Sequence, residues 1–232
     1  MNLQDFSKEL APFFKENGYK RKSGTFYKIE NNIAYCIYLE RPGGLYAGYC
    51  IWPLYMPIDC RILTYGCRLE SSPKKRFLPI FFGGDIIDEG RDLEAEKNEW
   101  CKCLKGICND LIFPLYDDIG TLPKLSAFLE HGYEYTKPFL HAMRRLDYYN
   151  LSAHTYFMLH DDERMAISIQ QAKYIIEDNG HQKYPWPEIY IDKTEKQIQM
   201  LQIMSQATES DRKAFIERTI QSSLTNLFGK HY

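Results

Sequence analysis

Apolar residues at helical spacing open the chain. Within residues 3–17 they recur every three or four positions, which is the pattern of a helix that buries one face. Gly18 follows, where a helix end favours a residue that tolerates the left-handed conformation. Pro12 lies inside the segment and removes one backbone donor, so we expect a bend or two short helical pieces. The apolar positions are Leu3, Phe6, Leu10, Phe13 and Phe14.

The segments that follow favour β structure. Residues 25–30 and 33–40 are rich in Tyr, Phe and Ile, and the Asn-Asn pair between them (residues 31–32) suits the two positive-φ positions of a tight hairpin turn. Residues 45–52 are predicted as a third strand and residues 62–69 as a fourth. The first part of the chain therefore predicts an antiparallel sheet.

Beyond Gly83-Gly84 the apolar residues recur every three or four positions and predict helices. Pro114 is expected to end or kink the first of them, and the prolines within residues 184–187 require an extended segment. The alternation within residues 163–177 is also compatible with a strand in part. The predicted helices cover residues 92–110, 122–130, 139–149 and 163–177, a segment that begins at Asp192, and residues 210–229.

These elements together predict an α+β fold. Residues 1–90 hold the N-terminal helix and the antiparallel sheet, and residues 91–232 are mainly helical. The two regions are compatible either with separate units or with one continuous domain.

Composition and charge are those of an ordinary globular protein. The 232 residues are 44% hydrophobic and 26% charged, and 29 Lys and Arg against 31 Asp and Glu leave a formal net charge of −2. This near-balance gives no strong electrostatic drive towards nucleic acid or a membrane surface. The apolar runs fall well short of the ~20 residues that a membrane helix needs. The first residues also lack the basic start and apolar run of a signal peptide.

The seven cysteines predict reduced thiols and a cytoplasmic protein, because an odd number cannot all pair within one molecule and no CxxC occurs. A zinc site needs ligands that converge on one point. Cys101 and Cys108 share one face of a predicted helix, whereas Cys103 points away from it. Cys36 and Cys50 fall in predicted strands, where a free thiol packs like a small apolar side chain. We predict no cofactor, no metal and no catalytic residue.

The densest group of metal-type ligands lies around residue 160. Because neighbouring residues on a helix point in different directions, we expect Asp161 or Asp162 to cap the following helix, with Glu163 in its first turn. The alternative function is a metal-dependent enzyme that uses His154, His160, Asp161 and Glu163.

Two short basic clusters support a second alternative, a nucleic-acid-binding protein. They lie at residues 20–22 and 74–76. A nucleic-acid surface combines such groups with exposed aromatic rings. In a chain of net negative charge, short clusters are more typical of solvated loops, which is the interpretation we prefer.

An acid-rich stretch leads into the N-terminal turns of the first helix of the second region. Residues 85–99 hold seven acidic side chains against two basic ones. The helix dipole favours acids at such a position, and the same charges suit a docking face for a basic protein. Aromatic rings beside prolines suit anchors presented by stiff loops. The residues predicted to bind a protein partner are Asp85, Asp88, Glu89, Asp92, Trp52, Tyr55 and Trp186.

The N-terminal sequence resembles a bacterial family. LAPFFKENGYKRK at residues 10–22, followed by TFY at residues 25–27, resembles the helix, Gly-aromatic pair, basic residues and Thr-Phe-aromatic strand that open the family domain of unknown function four-three-zero-four. The resemblance implies a helix that ends at Gly18, then an antiparallel sheet with Phe26 in its core, and no activity or substrate. Genes of such small families often lie beside toxin and immunity genes. We therefore predict a non-enzymatic protein-binding module of immunity or regulatory type.

Overall fold

A helix and an antiparallel sheet form the first part of the protein. The computed structural model describes residues 3–40, 45–57, 65–68, 92–137, 139, 144–182 and 185–229. Within these residues, α1 (Leu3–Glu16) is followed by strands that pair with one another in chain order. The strands are β1 (Lys20–Lys22), β2 (Thr25–Glu30), β3 (Ile33–Glu40), β4 (Tyr46–Pro53) and β5 (Tyr65–Arg68).

The predicted hairpin is confirmed. Strands β2 and β3 pair along their whole length, and Asn31 and Asn32 adopt φ angles of 51° and 60° at the turn between them. The pairing places Lys28 opposite Tyr35, so both side chains lie on the same face of the sheet. The N-terminal helix is also confirmed, although it continues through Pro12 instead of breaking into two pieces.

The rest of the described chain is mainly helical. Several helices agree closely with their predicted bounds, and residues 163–177 are helical, not a strand. The helices are α2 (Leu93–Ile107), α3 (Phe113–Ile119), α4 (Leu122–Glu130), α5 (Tyr133–Thr136), α6 (Arg145–Met158), α7 (Asp162–Glu177), α8 (Glu188–Ser205) and α9 (Glu209–Phe228). The fold is therefore α+β, as predicted, and the division at residue 90 stays a prediction.

Pro114 changes the geometry of the chain between α2 and α3. Cys108–Ile112 form a π-helical segment, in which the amide of Phe113 donates to the carbonyl of Cys108. Because proline has no N–H to donate, the ladder of hydrogen bonds must be rearranged near this residue. The expected kink takes the form of this wide turn, after which α3 continues with Pro114 in its first turn.

Two predicted helix boundaries and one predicted loop are wrong. The helix predicted at residues 139–149 begins only at Arg145 and extends to Met158. Helix α8 begins at Glu188, before the predicted start at Asp192, and Pro187 occupies its N-cap without a side-chain hydrogen bond. The basic residues 20–22 form the edge strand β1, not a loop.

The sheet is covered on both faces. On one face, Tyr35, Ile37 and Tyr49 pack in a core cluster that includes side chains from α1 to α4. On the other face, Cys36 and Trp52 belong to a second cluster that is closed by the end of α9. A third cluster joins α6, α7 and α8. None of the described helices is both long and apolar enough to cross a membrane.

Candidate binding pocket

A pocket of about 430 Å³ opens at one end of the sheet. It lies where the β2–β3 turn approaches the end of α3 and the start of α4. Its walls therefore combine residues that are distant in sequence. The lining residues are Asn17, Tyr19, Lys28, Glu30, Asn31, Tyr35, Phe113, Tyr116, Asp117, Gly120, Thr121 and Lys124.

Backbone and capping contacts fix the rim. The side-chain amide of Asn31 donates to the carbonyl of Gly120 at 2.8 Å, which ties the hairpin turn to the end of α3. Thr121 is the N-cap of α4, and its hydroxyl accepts from the amide of Lys124. A turn that requires left-handed residues and a helix that requires a polar cap thus meet at this rim.

Aromatic rings form the interior of the pocket. The ring of Tyr19 stacks on Phe113 with centroids 5.5 Å apart, and the rings of Tyr35 and Tyr116 lie 4.8 Å apart. The hydroxyl of Tyr116 donates to the backbone carbonyl of Cys36 at 2.8 Å and lies 3.1 Å from that of Cys50. Tyr116 is therefore held by the sheet.

The hydroxyl of Tyr35 differs from that of Tyr116. Tyr35 is only 2% exposed, and its oxygen has no hydrogen-bond partner among the described residues. Leaving a buried polar group unpaired costs about 1–3 kcal/mol, so each such group calls for an explanation. Tyr35 lines the pocket. A polar atom of a bound molecule would satisfy this hydroxyl.

Two basic and two acidic side chains surround the mouth of the pocket. The ammonium group of Lys28 lies 2.7 Å from the carboxylate of Glu30, and that of Lys124 donates to the backbone carbonyl of Asp117 at 2.6 Å. Glu30, Asp117 and Lys124 are exposed, whereas Lys28 is half-buried. The mouth is therefore polar and accessible, above an aromatic interior.

The ionisation of the tyrosines suits binding better than proton transfer. Burial is the largest cause that raises the pKa of Tyr35, and the carboxylates of Glu30 and Asp117 raise it further. Burial likewise raises the pKa of Tyr19 and Tyr116. These hydroxyls stay protonated at neutral pH. That of Tyr116 already donates to the carbonyl of Cys36, whereas that of Tyr35 still has its proton to donate. The described residues that line the pocket include no histidine, cysteine or serine.

Two of the aromatic residues predicted to anchor a partner lie inside the protein. Trp52 is 4% exposed and belongs to the cluster beneath α9. Tyr55 is 3% exposed, and its hydroxyl lies 3.1 Å from the hydroxyl of Thr155. The neighbouring prolines do not present these rings on exposed loops, because β4 and the turn after it are packed under helices. Neither ring offers a surface to a partner in this structure.

Trp186 is half-buried and already has contacts within the chain. Its indole stacks on the ring of Tyr190 with centroids 4.6 Å apart, and the guanidinium carbon of Arg144 lies 3.6 Å from its centroid. The side chain of Asn179 also accepts a hydrogen bond from the amide of Trp186 and donates one to its carbonyl. These contacts hold the segment before α8 against the start of α6.

Asp92 is the N-cap of α2. Its carboxylate accepts from the amides of Glu94 and Ala95 at 3.1 and 3.0 Å. This geometry matches the capping that the helix dipole favours. The other acidic residues predicted to bind a partner, Asp85, Asp88 and Glu89, lie outside the described residues.

The residues of the metal-enzyme alternative do not converge. His154 is buried in α6, where its Nδ1 lies 2.9 Å from the carbonyl of Asn150, and His160 is exposed in the turn before α7. Asp161 caps α7 by accepting from the amide of Arg164 at 3.0 Å, as expected from the sequence. In the part of the chain that the structure describes, no group of three or more His, Cys, Asp and Glu side chains is arranged to hold a metal ion.

Five cysteines are free thiols, namely Cys36, Cys50, Cys101, Cys103 and Cys108. Cys36 and Cys50 face each other across β3 and β4 and are fully buried. Burial is the largest cause that raises the pKa of Cys36 and that of Cys101, the latter to about 11. Thiols in such surroundings are poor nucleophiles and behave as apolar side chains.

The basic clusters give the nucleic-acid alternative little support. Lys20 and Arg21 are exposed on the edge strand β1, whereas residues 74–76 lie outside the described residues. The ring next to this cluster, Tyr19, is buried in the pocket, so it presents no face on which a base could stack.

No family model, curated protein or solved structure matches the chain.

The sequence did not identify the pocket residues, because they come from separate segments whose packing no local pattern reports. One signal was present in β3. Tyr35 lies between inward-facing apolar residues, and a hydroxyl at such a position needs a partner that the neighbouring sequence does not provide.

Proposed function

We propose that the protein is a non-enzymatic binding module and that this pocket receives a group from a protein partner. The observation that carries the proposal is the buried hydroxyl of Tyr35, which has no partner among the described residues and lines an aromatic pocket. Ligand sites characteristically combine apolar walls with a few polar groups that fix orientation.

A protein partner fits the shape of the mouth. Its rim is built from the exposed residues Glu30, Asn31, Asp117 and Lys124, which a second surface can reach without entering the interior. Protein interfaces commonly insert one anchor side chain into such a pocket, while polar rim residues contact the surrounding surface. The protein would then act by occupying its partner, in keeping with an immunity or regulatory role.

A variant that blocks the mouth tests this function. Lys124→Trp adds a large side chain at an exposed position of α4 that lines the pocket, and Lys213→Trp makes the same change at an exposed position of α9. Proteins that bind the wild type are captured from a cell lysate and purified, and each is then titrated with the wild type and with both variants.

The proposal predicts that the purified partner binds Lys124→Trp at least tenfold more weakly than the wild type, while Lys213→Trp binds normally. Equal affinity for the wild type and both variants would contradict it. Far-UV circular dichroism and thermal unfolding of both variants establish that the fold is retained.

A further inference from the structure

The unpartnered hydroxyl lies in a negative field. Glu30, at the end of β2, and Asp117, in α3, line the pocket from two sides. Both carboxylates act on Tyr35, and both disfavour its ionised form. Among the described residues, these are the charged groups that shift the pKa of Tyr35. The surroundings of the Tyr35 hydroxyl therefore favour positive charge, although Lys28 and Lys124 balance the two carboxylates over the lining as a whole.

The backbone adds to this preference. The end of α3 points into the same region, and helix C-termini carry partial negative charge on carbonyls that lack helical partners. Two of these carbonyls already attract donors, because that of Asp117 accepts from the ammonium group of Lys124 and that of Gly120 from the amide of Asn31.

The aromatic interior suits a flat cation. A guanidinium group stacks on aromatic rings and is attracted by their negative faces. Tyr35, Tyr116 and Phe113 are aromatic residues that line its walls. A planar fork of donors could also reach a carboxylate and a hydroxyl together, which a point-like ammonium does less well.

Lys28, one of the two lysines at the mouth, is weakly held. Lys28 and Glu30 form an ion pair with side chains that are 34% and 50% exposed. Such exposed pairs contribute little stability, so an incoming cation can exchange with Lys28 at small cost.

We propose that the pocket binds the guanidinium group of an arginine on the protein partner. This inference rests on the proposed function and names the group that the partner inserts. The carboxylates of Glu30 and Asp117 neutralise the guanidinium, and the hydroxyl of Tyr35 gains the hydrogen-bond partner that it lacks within the chain.

A matched pair of peptides tests the inference without knowledge of the partner. Acetyl-Gly-Arg-Gly-amide and acetyl-Gly-citrulline-Gly-amide have nearly the same shape, but only the first is charged. Each peptide is titrated into the full chain at low salt, and binding is measured by calorimetry or NMR. We expect saturable binding of the arginine peptide and at least tenfold weaker binding of the citrulline peptide. Equal affinities, or no saturable binding of the arginine peptide at millimolar concentration, would overturn the inference.

Variants of the chain locate the effect. Glu30→Gln combined with Asp117→Asn should lower the affinity for the arginine peptide at least tenfold. Lys28→Gln should raise it severalfold, because the competing cation is gone. Glu217→Gln removes an exposed carboxylate on α9, far from the lining residues in sequence, and should leave the affinity unchanged. An arginine affinity that the double variant leaves unaltered would place the binding elsewhere and overturn the inference.

A free ligand is distinguished with agmatine, which carries a guanidinium group but no peptide. Agmatine should bind more weakly than the arginine peptide; tighter binding would overturn the assignment to a protein side chain.

The two proposals can fail separately. A partner that is lost with Lys124→Trp while neither peptide binds would leave the proposed function standing without the arginine. Arginine binding with no pocket-dependent partner would leave the cation site and remove the function.

Discussion

The side-chain amide of Asn31 donates to the backbone carbonyl of Gly120 at 2.8 Å. This bond joins a hairpin turn to the end of a helix that lies 89 positions further along the chain. The same contact sets the distance between the two walls of the pocket. A turn residue required by local backbone geometry therefore also shapes the candidate site.

Replacing Asn31 by glycine separates these two roles. Glycine adopts the observed φ of 51° without strain, so the turn is kept and only the bond to Gly120 is lost. We expect the free energy of unfolding to fall by about 0.5–1.5 kcal/mol. Asn32→Gly is the control at the adjacent left-handed position. Urea denaturation of both variants checks the difference, and equal losses would show that the bond to Gly120 adds nothing.

Two tyrosines of the pocket should respond oppositely to loss of their hydroxyls. Tyr35→Phe removes a buried oxygen without a partner among the described residues, so we expect unchanged stability or a gain of up to about 1 kcal/mol. Tyr116→Phe removes the donor to the carbonyl of Cys36, and we expect a loss of about 1–3 kcal/mol.

Chemical denaturation of the two phenylalanine variants measures the contrast. A loss for Tyr35→Phe as large as that for Tyr116→Phe would mean that the hydroxyl of Tyr35 is satisfied within the protein. The pocket would then lack the unpaired group from which a ligand was inferred.

Burial of His154 predicts acid sensitivity. Burial lowers the pKa of His154 from 6.5 to about 4, and the bond to the carbonyl of Asn150 offsets this only in part. Because the folded-state pKa is depressed, the neutral ring contributes stability above pH 6.5 that is lost as the pH falls towards 4, by about 3 kcal/mol in total. His154→Gln should flatten this part of the stability profile. Urea denaturation between pH 4 and 7 measures the free energy of unfolding of the wild type and the variant. If this free energy depends on pH with the same slope in both proteins, the histidine is not buried in its neutral form.

Asp147 changes the stability of the protein with pH in the direction opposite to His154. Burial raises its pKa from 3.8 to about 6, although Tyr190 and the amide of Arg144 donate to its carboxylate. A raised folded-state pKa means that stability is fully present below pH 3.8 and is lost as the pH rises through 6. Asp147→Asn removes this contribution, so acidification from pH 6 to 4 should lower the stability of the variant more steeply than that of the wild type. A shallower acid loss would show that the sign of the shift is wrong.

The close packing around Gly48 predicts a steric effect of substitution, for which Gly106 provides the control. A Cβ at this position would overlap the hydroxyl and ring of Tyr38, its partner across β3 and β4. Gly48→Ala should destabilise the protein by about 1–3 kcal/mol. Gly106→Ala meets nothing within 4 Å in α2 and should stabilise by about 0.5–1 kcal/mol. Thermal unfolding compares them, and a harmless Gly48→Ala would refute the close contact with Tyr38.

Local patterns predicted the elements on which the pocket is built, but not the pocket. The Asn-Asn turn followed from residue types, and the register that places Lys28 opposite Tyr35 follows from that turn. The position of α3 and α4 over this end of the sheet depends on tertiary packing, so Asp117 and Lys124 could not be assigned to the same site as Glu30.

The exposure expected for Trp52 and the start expected for α8 differ from the structure for related reasons. Proline beside Trp52 suggested an exposed loop, whereas the ring is covered by the end of α9, which lies far away in sequence. The start of α8 was missed because Pro187 caps it without a side-chain acceptor, so the residue types that usually mark a helix start are absent there.

The most direct test of the pocket is to map where the arginine peptide binds. Amide chemical shifts of the labelled protein are followed during the titration. The largest changes should occur at Asn31, Tyr35, Gly120, Thr121 and Lys124, and they should disappear in the Glu30→Gln, Asp117→Asn double variant. Changes confined to other surfaces, such as the start of α2 at Asp92 or the exposed faces of α7 and α8, would contradict a binding site in this pocket.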